Sequence, residues 1–364
     1  MNNAILLRNR VAIIENTMNS EPTDPAGETT PPVHQRRVRY SGKNPRHFSE
    51  KYKELDPERY PEIVKKVAES GKTPAGTHVP VLMVESMNAL RLQAGMIGVD
   101  CTLGYGGHAR EILTRIAPNG KLIGLDIDPI EQPKTEARLR EAGFGEDVFQ
   151  AVHSNYAGIS KVLIQQSLDA VDFIFADLGC SSMQIDDPRR GFTFKREGQL
   201  DMRMNPTRGI GAADWLKKVS AANLAEVLRE NADEPHAERI ADHLAGKFFP
   251  STSALARAVM ENTHDETGDS TRRVFQAIRI AVNEEFTALD AFLRSAAFSL
   301  KVGGTIAILS FHSGEDRRVK KSFQAGLRDG LYSAISEEVI IAGPEERRAN
   351  PRSIPAKLRW AQRG

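Results

Sequence analysis

A glycine-rich turn between two apolar segments is the feature that most restricts how this chain folds. The segment 97–129 reads IGVDCTLGYGGHAREILTRIAPNGKLIGLDIDP. It predicts a strand that ends at Asp100, a turn that holds Gly106 and Gly107, a helix, and a second strand that ends at Asp126. Glycines let a ligand approach the backbone, and the helix N-terminus offers it unpaired N–H groups. An acidic residue about 20 positions further on accepts hydrogen bonds from ribose hydroxyls in such sites. The pattern therefore predicts a nucleoside-containing cofactor.

The chemistry of the turn narrows the choice of cofactor. Dinucleotide sites follow G-x-G-x-x-G, whereas this turn reads G-x-G-G-H and lacks the third glycine. No basic residue stands in the turn to meet a phosphate, and Asp100 repels one. S-adenosylmethionine has a sulfonium, an ammonium and a ribose but no phosphate, so it suits an acidic site. A plain strand-to-helix turn without a ligand is the alternative, and the two aspartates favour the cofactor.

Composition describes an ordinary water-soluble protein of 364 residues with 49 basic and 48 acidic side chains. A charge balance this even gives no global attraction to nucleic acid, so a contact with RNA must come from local clusters. The two cysteines, Cys101 and Cys180, have no metal-ligand spacing and are expected to be free thiols. No metal site is predicted. The N-terminal apolar run is interrupted by Arg8 and Arg10 and lacks a cleavage site, so we expect a cytoplasmic protein. A mitochondrial presequence is the alternative.

Residues 1–76 differ from the rest of the chain and are predicted to form a basic, partly disordered extension. The stretch 21–32 is rich in Pro, Thr and acidic residues, which is typical of disorder. The following stretch, QRRVRYSGKNPRHFSEKYK, interleaves basic residues with Tyr40, Phe48 and Tyr52. Basic side chains neutralise phosphates and aromatic rings stack on bases, so this arm is either an RNA contact or a solvated linker. The sequence does not decide between the two.

The core is predicted to be an α/β domain with a mostly parallel sheet. Strands are expected at about 96–100, 121–125, 148–153 and 171–177, with helix-length segments between them. The last of these, VDFIFAD, is apolar throughout and ends at Asp177, as a central strand buried on both faces would. Ligands bind at the carboxyl edge of such sheets, so Asp177 is expected beside Asp100 and Asp126.

The chain after this strand predicts an insertion over the ligand edge. The polar, Arg-rich run from 177 to 209 is too long for a simple connection, and amphipathic helical pieces follow it. We assign 185–265 to an inserted helical substrate-recognition subdomain, and 77–184 with 266–364 to the core. Arginines 189, 190, 203 and 208 of this run either contact a polyanion or pair with nearby aspartates, and Arg190 and Arg208 have the less obvious partners.

The C-terminal part of the core predicts a return to the sheet. A single long helix is expected over 272–300, followed by the strand TIAILSF. His312 lies at the end of that strand and is a candidate proton acceptor, as is Asp177. No catalytic residue is fixed beyond these two candidates. AKLRWAQ, near the C-terminus, is expected to close the sheet as an edge strand.

Several long motifs also resemble a known family. They are the turn GYGGHA, GLDIDP, DLGCSSMQIDDPRRGFTFKREGQLDMRMNPTRG, RRVFQAIRIAVNEE, SFHSGEDRRVKKSF and NPRSIPAKLRW. These segments resemble the bacterial ribosomal small-subunit RNA cytosine-N4 methyltransferases, the RsmH/MraW family, and together they span about 78–362. The resemblance implies a class I (Rossmann-like) S-adenosylmethionine-dependent methyltransferase fold. It also implies methylation of the exocyclic N4 amine of one cytidine in the decoding region of 16S-type rRNA.

The same resemblance implies the partners and the cofactor contacts. Small-subunit ribosomal RNA or the 30S particle is the expected partner, no membrane is expected, and a homodimer is left open. By position, the cofactor contacts are Gly106, Gly107, His108, Asp126, Tyr156, Asp177 and Gln184. Asp177 either binds the cofactor or accepts from the target amine.

The chain departs from the family pattern at a few positions. Tyr156 stands in place of Phe, Cys180 in place of Val, and Gly314 in place of Leu, the last expected to loosen the loop near the substrate. Two alternative functions stay open: methylation of another nucleic acid or of protein, and a non-catalytic role in RNA binding or assembly. A dehydrogenase is the weakest alternative.

Overall fold

The computed structural model of this chain describes residues 59–62, 80–263 and 267–364. Nearly all of the basic arm, including Tyr40, Phe48 and Tyr52, lies outside the described residues. The described strands are β1 Ile97–Asp100, β2 Lys121–Asp126, β3 Phe149–His153, β4 Val171–Asp177, β5 Leu300–Ser310, β6 Tyr332–Ile335, β7 Ile340–Ile341 and β8 Lys357–Arg363. The α-helices are α1 Met83–Leu90, α2 Gly107–Ile116, α3 Glu131–Glu141, α4 Ile159–Gln165, α5 Ser182–Asp186, α6 Ala212–Lys218, α7 Ala221–Ala232, α8 Ala237–Leu244, α9 Thr252–Thr263, α10 Asp269–Val282, α11 Glu285–Ala296, α12 Ser313–Arg328 and α13 Pro344–Ala349.

One sheet organises the core, in the order β3-β2-β1-β4-β5-β8-β6, with β7 also paired to β8. The five strands from β3 to β5 in this order are parallel, whereas β8 runs antiparallel to β5, β6 and β7. The mostly parallel sheet with its helices confirms the predicted α/β class. Asp100, Asp126 and Asp177 each end a parallel strand, so the topology brings them to one edge.

Apolar side chains cover both faces of the sheet, which explains the continuous apolar pattern of β4. Ile174 and Ala176 belong to the core on one face, and Phe173 and Phe175 to the core on the other. Alternate residues of a strand point to opposite faces, so a strand buried on both sides needs apolar residues throughout. A separate apolar cluster is built from the helices between Ala212 and Ile278, together with Leu200 and Met202 of the preceding loop.

Three local predictions for the C-terminal half are wrong. The single helix expected over 272–300 is two helices, α10 and α11, because Glu284 takes a left-handed backbone conformation (φ 51°). The strand expected from 305 starts earlier, at Leu300, and includes Gly303 and Gly304. β8 is not an edge strand: β5 lies on one side of it and β6 and β7 on the other. β6 and β7 are short, four and two residues, and give no clear sequence signal.

Other features agree with the sequence. Cys101 and Cys180 are free thiols, as predicted. Within the described ranges, no helix combines the length and apolar character that a membrane span requires.

Candidate active site

A cavity of about 430 Å³ opens at the carboxyl edge of the parallel strands. Its lining joins the ends of β1, β2 and β4 to the loop after β3 and to the start of α12. The structure brings every candidate residue from the sequence into this one lining: Gly106, Gly107, His108, Asp126, Tyr156, Asp177, Gln184 and His312.

The glycine turn is held rigidly against its neighbours. Gly104 and Gly106 have positive φ angles (50° and 86°), which favour glycine. A Cβ on Gly106 would lie 2.8 Å from Thr135 Cγ2, and one on Gly107 would lie 2.4 Å from Pro80 Cγ. Gly104 is therefore required by backbone conformation, Gly107 by close packing, and Gly106 by both. The turn leads directly into α2, and the first two residues of this helix, Gly107 and His108, line the cavity.

Asp126 fastens the turn to the end of β2. Its Oδ2 accepts from the Gly104 N–H and its Oδ1 from the Asp128 N–H, both at 2.8 Å. Burial raises the pKa of Asp126 to about 6, and the two backbone hydrogen bonds act against that rise. The side chain is therefore largely ionised near pH 7.5, and a carboxylate has further lone pairs with which to accept from ligand hydroxyls.

His108 is a buried neutral imidazole. Its Nε2 lies 3.1 Å from the Val81 carbonyl oxygen, which only accepts, so the proton resides on Nε2. Burial lowers the pKa of His108 to about 4. Its Nδ1 is then an acceptor and lies 3.6 Å from Asp177 Oδ2. The ring also packs on Phe175, with centroids 4.7 Å apart. The structure thus uses His108 to tie α2 to the segment before α1 as well as to line the cavity.

Two acidic side chains at this sheet edge have carboxyl oxygens that the described residues leave without partners: Asp177 lines the cavity, and Asp100 is buried next to the lining residue Cys101. Among the described residues, Asp177 Oδ1 and Asp100 Oδ2 have no hydrogen-bond partner. Burial raises the pKa of Asp177 to about 8 and that of Asp100 to about 7; the charge of Asp100 adds to the rise at Asp177, and that of Asp126 to the rise at Asp100. Buried acceptors without partners cost free energy, which a cationic or donor-bearing ligand would recover. S-adenosylmethionine fits this environment through its positive charges.

Tyr156 and Gln184 both line the cavity and are both hydrogen-bonded to the protein. The Tyr156 hydroxyl donates to the Glu285 carbonyl oxygen at 3.4 Å, and its ring packs edge-on against Phe292. Gln184 caps α5: its Oε1 accepts from the Ser181 N–H at 2.9 Å, and its Nε2 donates to Asp128 Oδ2 at 2.8 Å. Both the oxygen and the nitrogen of its amide thus already make hydrogen bonds within the protein.

Comparison with known proteins gives the family. The model of the MraW methylase family matches residues 75–364. The chain belongs to the MraW methylase family. Its membership confirms the family resemblance and the prediction of a methyltransferase that uses S-adenosylmethionine.

Relatives of this methylase include a protein of Lachnoclostridium phytofermentans named ribosomal RNA small subunit methyltransferase H 1. It is 44% identical over 95% of this chain and 97% of the relative. A Chromobacterium violaceum protein named ribosomal RNA small subunit methyltransferase H is 38% identical over 80% of this chain and 96% of the relative. Among solved structures, an rRNA methylase from Streptococcus thermophilus aligns with 78% of this chain and 92% of its own, at 12% identity and a TM-score of 0.34.

Sequence reasoning missed two charged pairs of this methylase. Arg190 Nη1 donates to Asp128 Oδ2 at 2.8 Å, and both side chains are buried. The expectation that Arg190 lacks an obvious partner is therefore wrong. Its partner is Asp128, which follows β2 and is 62 positions away in the sequence. Arg189 and Arg203 do pair with the local Asp187 and Asp201.

The second missed pair is Arg279 with Glu285, at the junction of α10 and α11 and in the cavity lining. A signal existed in the sequence, because Arg279 follows Phe275 by four positions and so shares the inward face of α10.

His312 and Gly314 lie where the sheet edge meets α12. His312 Nε2 is 3.2 Å from Glu315 Oε1, and its ring lies 5.8 Å from that of Phe286. Glu315 Oε2 accepts from the Phe311 N–H at 2.9 Å, so this carboxylate fixes the turn around His312. Gly314 is buried, and a Cβ there would lie 2.6 Å from Phe286 Cζ. The phenyl ring fills the space beside Gly314, so the structure gives no sign of the loosening expected from this departure.

Proposed function

We propose that this methylase transfers the methyl group of S-adenosylmethionine to the exocyclic N4 amine of one cytidine in the decoding region of small-subunit ribosomal RNA. The names of its relatives support the ribosomal small subunit as substrate. The observation that carries the chemistry is Asp177. Asp177 lines the same cavity as the glycine turn and Asp126, and its Oδ1 has no hydrogen-bond partner among the described residues.

The proposed cofactor contacts follow the lining of the cavity. Asp126 accepts from the ribose, because its carboxylate is already oriented by two backbone N–H groups. Gly106, Gly107 and His108 border the methionine portion, and Tyr156 offers a ring for the adenine. Gln184 acts indirectly, by fixing α5 and Asp128 at the rim. When bound, S-adenosylmethionine supplies an electrophilic methyl group.

The chain's contribution to the reaction is position and hydrogen bonding. A cytosine amine is a weak nucleophile because its lone pair is delocalised into the ring, so alignment supplies much of the rate. An acceptor toward the amine protons helps the nitrogen become tetrahedral as the new N–C bond forms. Asp177 serves as that acceptor once it is ionised. The methylated nitrogen then loses one proton, to Asp177 or to water.

His312 is the second candidate proton acceptor. It lines the cavity, and neither ring nitrogen has a well-aligned hydrogen bond to another described residue. Glu315, 3.2 Å from Nε2, favours a proton on that nitrogen and leaves Nδ1 as the acceptor. Asp177 ranks first because no described residue satisfies its Oδ1, whereas Glu315 already lies 3.2 Å from His312 Nε2.

The helices of the segment 185–265 are proposed to recognise the RNA. They pack in an apolar cluster that also includes residues of α10, and Met204 of the loop before them lines the cavity. The proposed partner is ribosomal RNA in the small subunit or 30S particle, and the proposed location is therefore the cytoplasm. A role in RNA contact for residues 1–76 is a prediction that falls outside the described residues.

The test measures which substrate receives the methyl group. Purified protein and labelled S-adenosylmethionine are incubated with small-subunit particles from a strain that lacks this gene, with free 16S-type rRNA, with DNA and with ribosomal proteins. We expect N4-methylcytidine at one position of the rRNA, identified by mass spectrometry. Asp177→Asn is expected to abolish transfer, whereas Asp169→Asn, on the exposed surface, retains it. Transfer to DNA or protein instead, or cofactor binding without transfer to any substrate, contradicts the proposal.

A further inference from the structure

The Arg279–Glu285 pair lies at a break between two consecutive helices. α10 ends at Val282 and α11 begins at Glu285, and Glu284 between them has φ 51°. Arg279 Nε donates to Glu285 Oε1 and Arg279 Nη2 donates to Glu285 Oε2, each at 2.8 Å. The side chains are only 16% and 8% exposed, and both line the cavity. A continuous helix would not allow this side-on contact between residues six positions apart.

The intervening Asn283 connects the same interruption to the inserted segment. Its Oδ1 accepts from the Met204 N–H and its Nδ2 donates to the Met202 carbonyl oxygen, both at 2.7 Å. Met204 also lines the cavity. The pair therefore lies at the part of the cavity where the sheet edge meets the proposed RNA-recognition segment, beside Tyr156, which donates to the Glu285 carbonyl oxygen. The glycine turn follows β1, and Asp126 ends β2.

Arg279 keeps donors available for a ligand. A guanidinium has five N–H donors, and the described residues take two of them, one on Nε and one on Nη2. Within the described part of the chain Nη1 has no hydrogen-bond partner. Glu285 holds the guanidinium plane in one orientation, so the remaining donors have a fixed direction. A buried, oriented and incompletely used guanidinium is suited to an acceptor-bearing ligand.

We infer that Arg279 is a specificity-determining residue that recognises the target base, which it does by donating to the ring acceptors of cytosine while Asp177 accepts from the amine. The inference rests on the proposed function. Cytosine presents O2 and N3 as acceptors beside the N4 donor, so a two-donor fork and a carboxylate match its pairing edge. Uracil has an acceptor in place of the amine, which Asp177 rejects. Adenine has an amine but only one adjacent ring acceptor, so it leaves one donor of the fork unused.

The test separates base recognition from cofactor binding. The variant Arg279→Gln/Glu285→Gln removes both charges together, so no buried charge is left without a partner. We expect its kcat/KM for unmethylated small-subunit particles to fall roughly 10- to 150-fold, the range for loss of a hydrogen bond to a charged group. Its Kd for S-adenosylmethionine, by calorimetry, is expected to stay within about threefold of wild type. Arg272→Gln, an exposed arginine on the same helix, is the matched control and keeps wild-type kinetics.

A second readout distinguishes recognition from a merely structural role. Cytidine 5′-monophosphate and its 3-deaza analogue, which has C–H in place of N3, are compared as competitive inhibitors of transfer. The wild-type enzyme is expected to prefer the cytidine compound roughly tenfold, and the double variant to show no preference. Arg279→Lys, which keeps the charge but loses the fork, is expected to lose the same preference.

Several outcomes overturn the inference. One is wild-type kcat/KM in the double variant. Another is a loss of cofactor binding as large as the loss of activity, which would assign Arg279 to the carboxylate of the cofactor. A third is equal inhibition, or no inhibition, of the wild-type enzyme by the two nucleotides. If the wild-type enzyme transfers no methyl group to cytosine N4 at all, the proposed function itself is wrong and this inference falls with it.

Discussion

Arg190 Nη1 lies 2.8 Å from Asp128 Oδ2, and this buried contact joins the loop after β2 to the segment inserted after β4. Asp128 also accepts from Gln184 Nε2, and Arg190 Nη2 donates to the carbonyl oxygens of Arg203 and Met204. Asp126, the proposed ribose ligand, stands two positions before Asp128 and accepts from its N–H. The end of β2 beside the cavity and the loop between β4 and α6 are thus held by one hydrogen-bonded network.

Arg190→Met is expected to lower the free energy of unfolding by roughly 3–5 kcal/mol, because it leaves the Asp128 carboxylate buried without its main partner. Arg272→Met is the matched control. Arg272 and its partner Asp269 are 62% and 55% exposed, so the change is expected to leave the free energy of unfolding almost unchanged. Urea denaturation measures both. Equal effects of the two substitutions would show that the buried pair adds nothing beyond a surface pair.

Asp126→Ala is expected to weaken S-adenosylmethionine binding roughly 10- to 100-fold. The substitution removes the proposed ribose acceptor and leaves the Gly104 and Asp128 N–H groups without their 2.8 Å partner. Calorimetric titration gives the Kd, and Asp169→Asn, an exposed aspartate, is the control. An unchanged Kd in the Asp126 variant would remove this residue from the proposed site.

The affinity for S-adenosylmethionine is expected to rise with pH between about 6 and 8. Burial raises the pKa of Asp177 to about 8 and that of Asp100 to about 7, so both carboxyl groups of the free protein are mostly protonated at pH 6. A cationic ligand favours their ionised forms, so binding releases protons and strengthens, by roughly tenfold or more, as pH rises toward 8. Above about pH 9 both carboxyl groups are already ionised in the free protein, and the affinity levels off.

Calorimetry in buffers of different ionisation enthalpy measures the protons released. Asp177→Asn is the informative variant, because it removes the group with the higher pKa and should flatten the upper part of the profile. A Kd that is constant from pH 6 to 8.5 in the wild-type protein would mean that these carboxyl groups do not meet the positive charge.

Gly314→Leu is expected to destabilise the protein by roughly 1–3 kcal/mol, the usual effect of overpacking. The new Cβ would lie 2.6 Å from Phe286 Cζ, and both residues are buried. Phe286→Ala in the same chain is expected to restore part of the loss by making room. Gly343→Ala is the control, since nothing lies within 4 Å of that Cβ. Thermal unfolding compares the four proteins, and a harmless Gly314→Leu would contradict the packing described for Phe286.

Features that depend on neighbouring residues could be predicted from the sequence. The apolar strands, the glycine turn and the acidic strand ends placed Asp100, Asp126 and Asp177 at one sheet edge, because parallel strands end on the same side. The same local patterns gave four of the strands to within about a residue at each end.

The tertiary structure alone decided which polar groups are still available to a ligand. Asp128 and Arg190 are 62 positions apart in the sequence. Arg279 contacts Glu285 only because the chain breaks at Glu284, where the apolar periodicity predicts one continuous helix. Gln184 was a cofactor contact by position, yet its amide is bonded to Ser181 and Asp128. Contacts of this kind depend on which surfaces pack together. Packing joins residues whose separation in the sequence follows no regular pattern, so the sequence does not predict them.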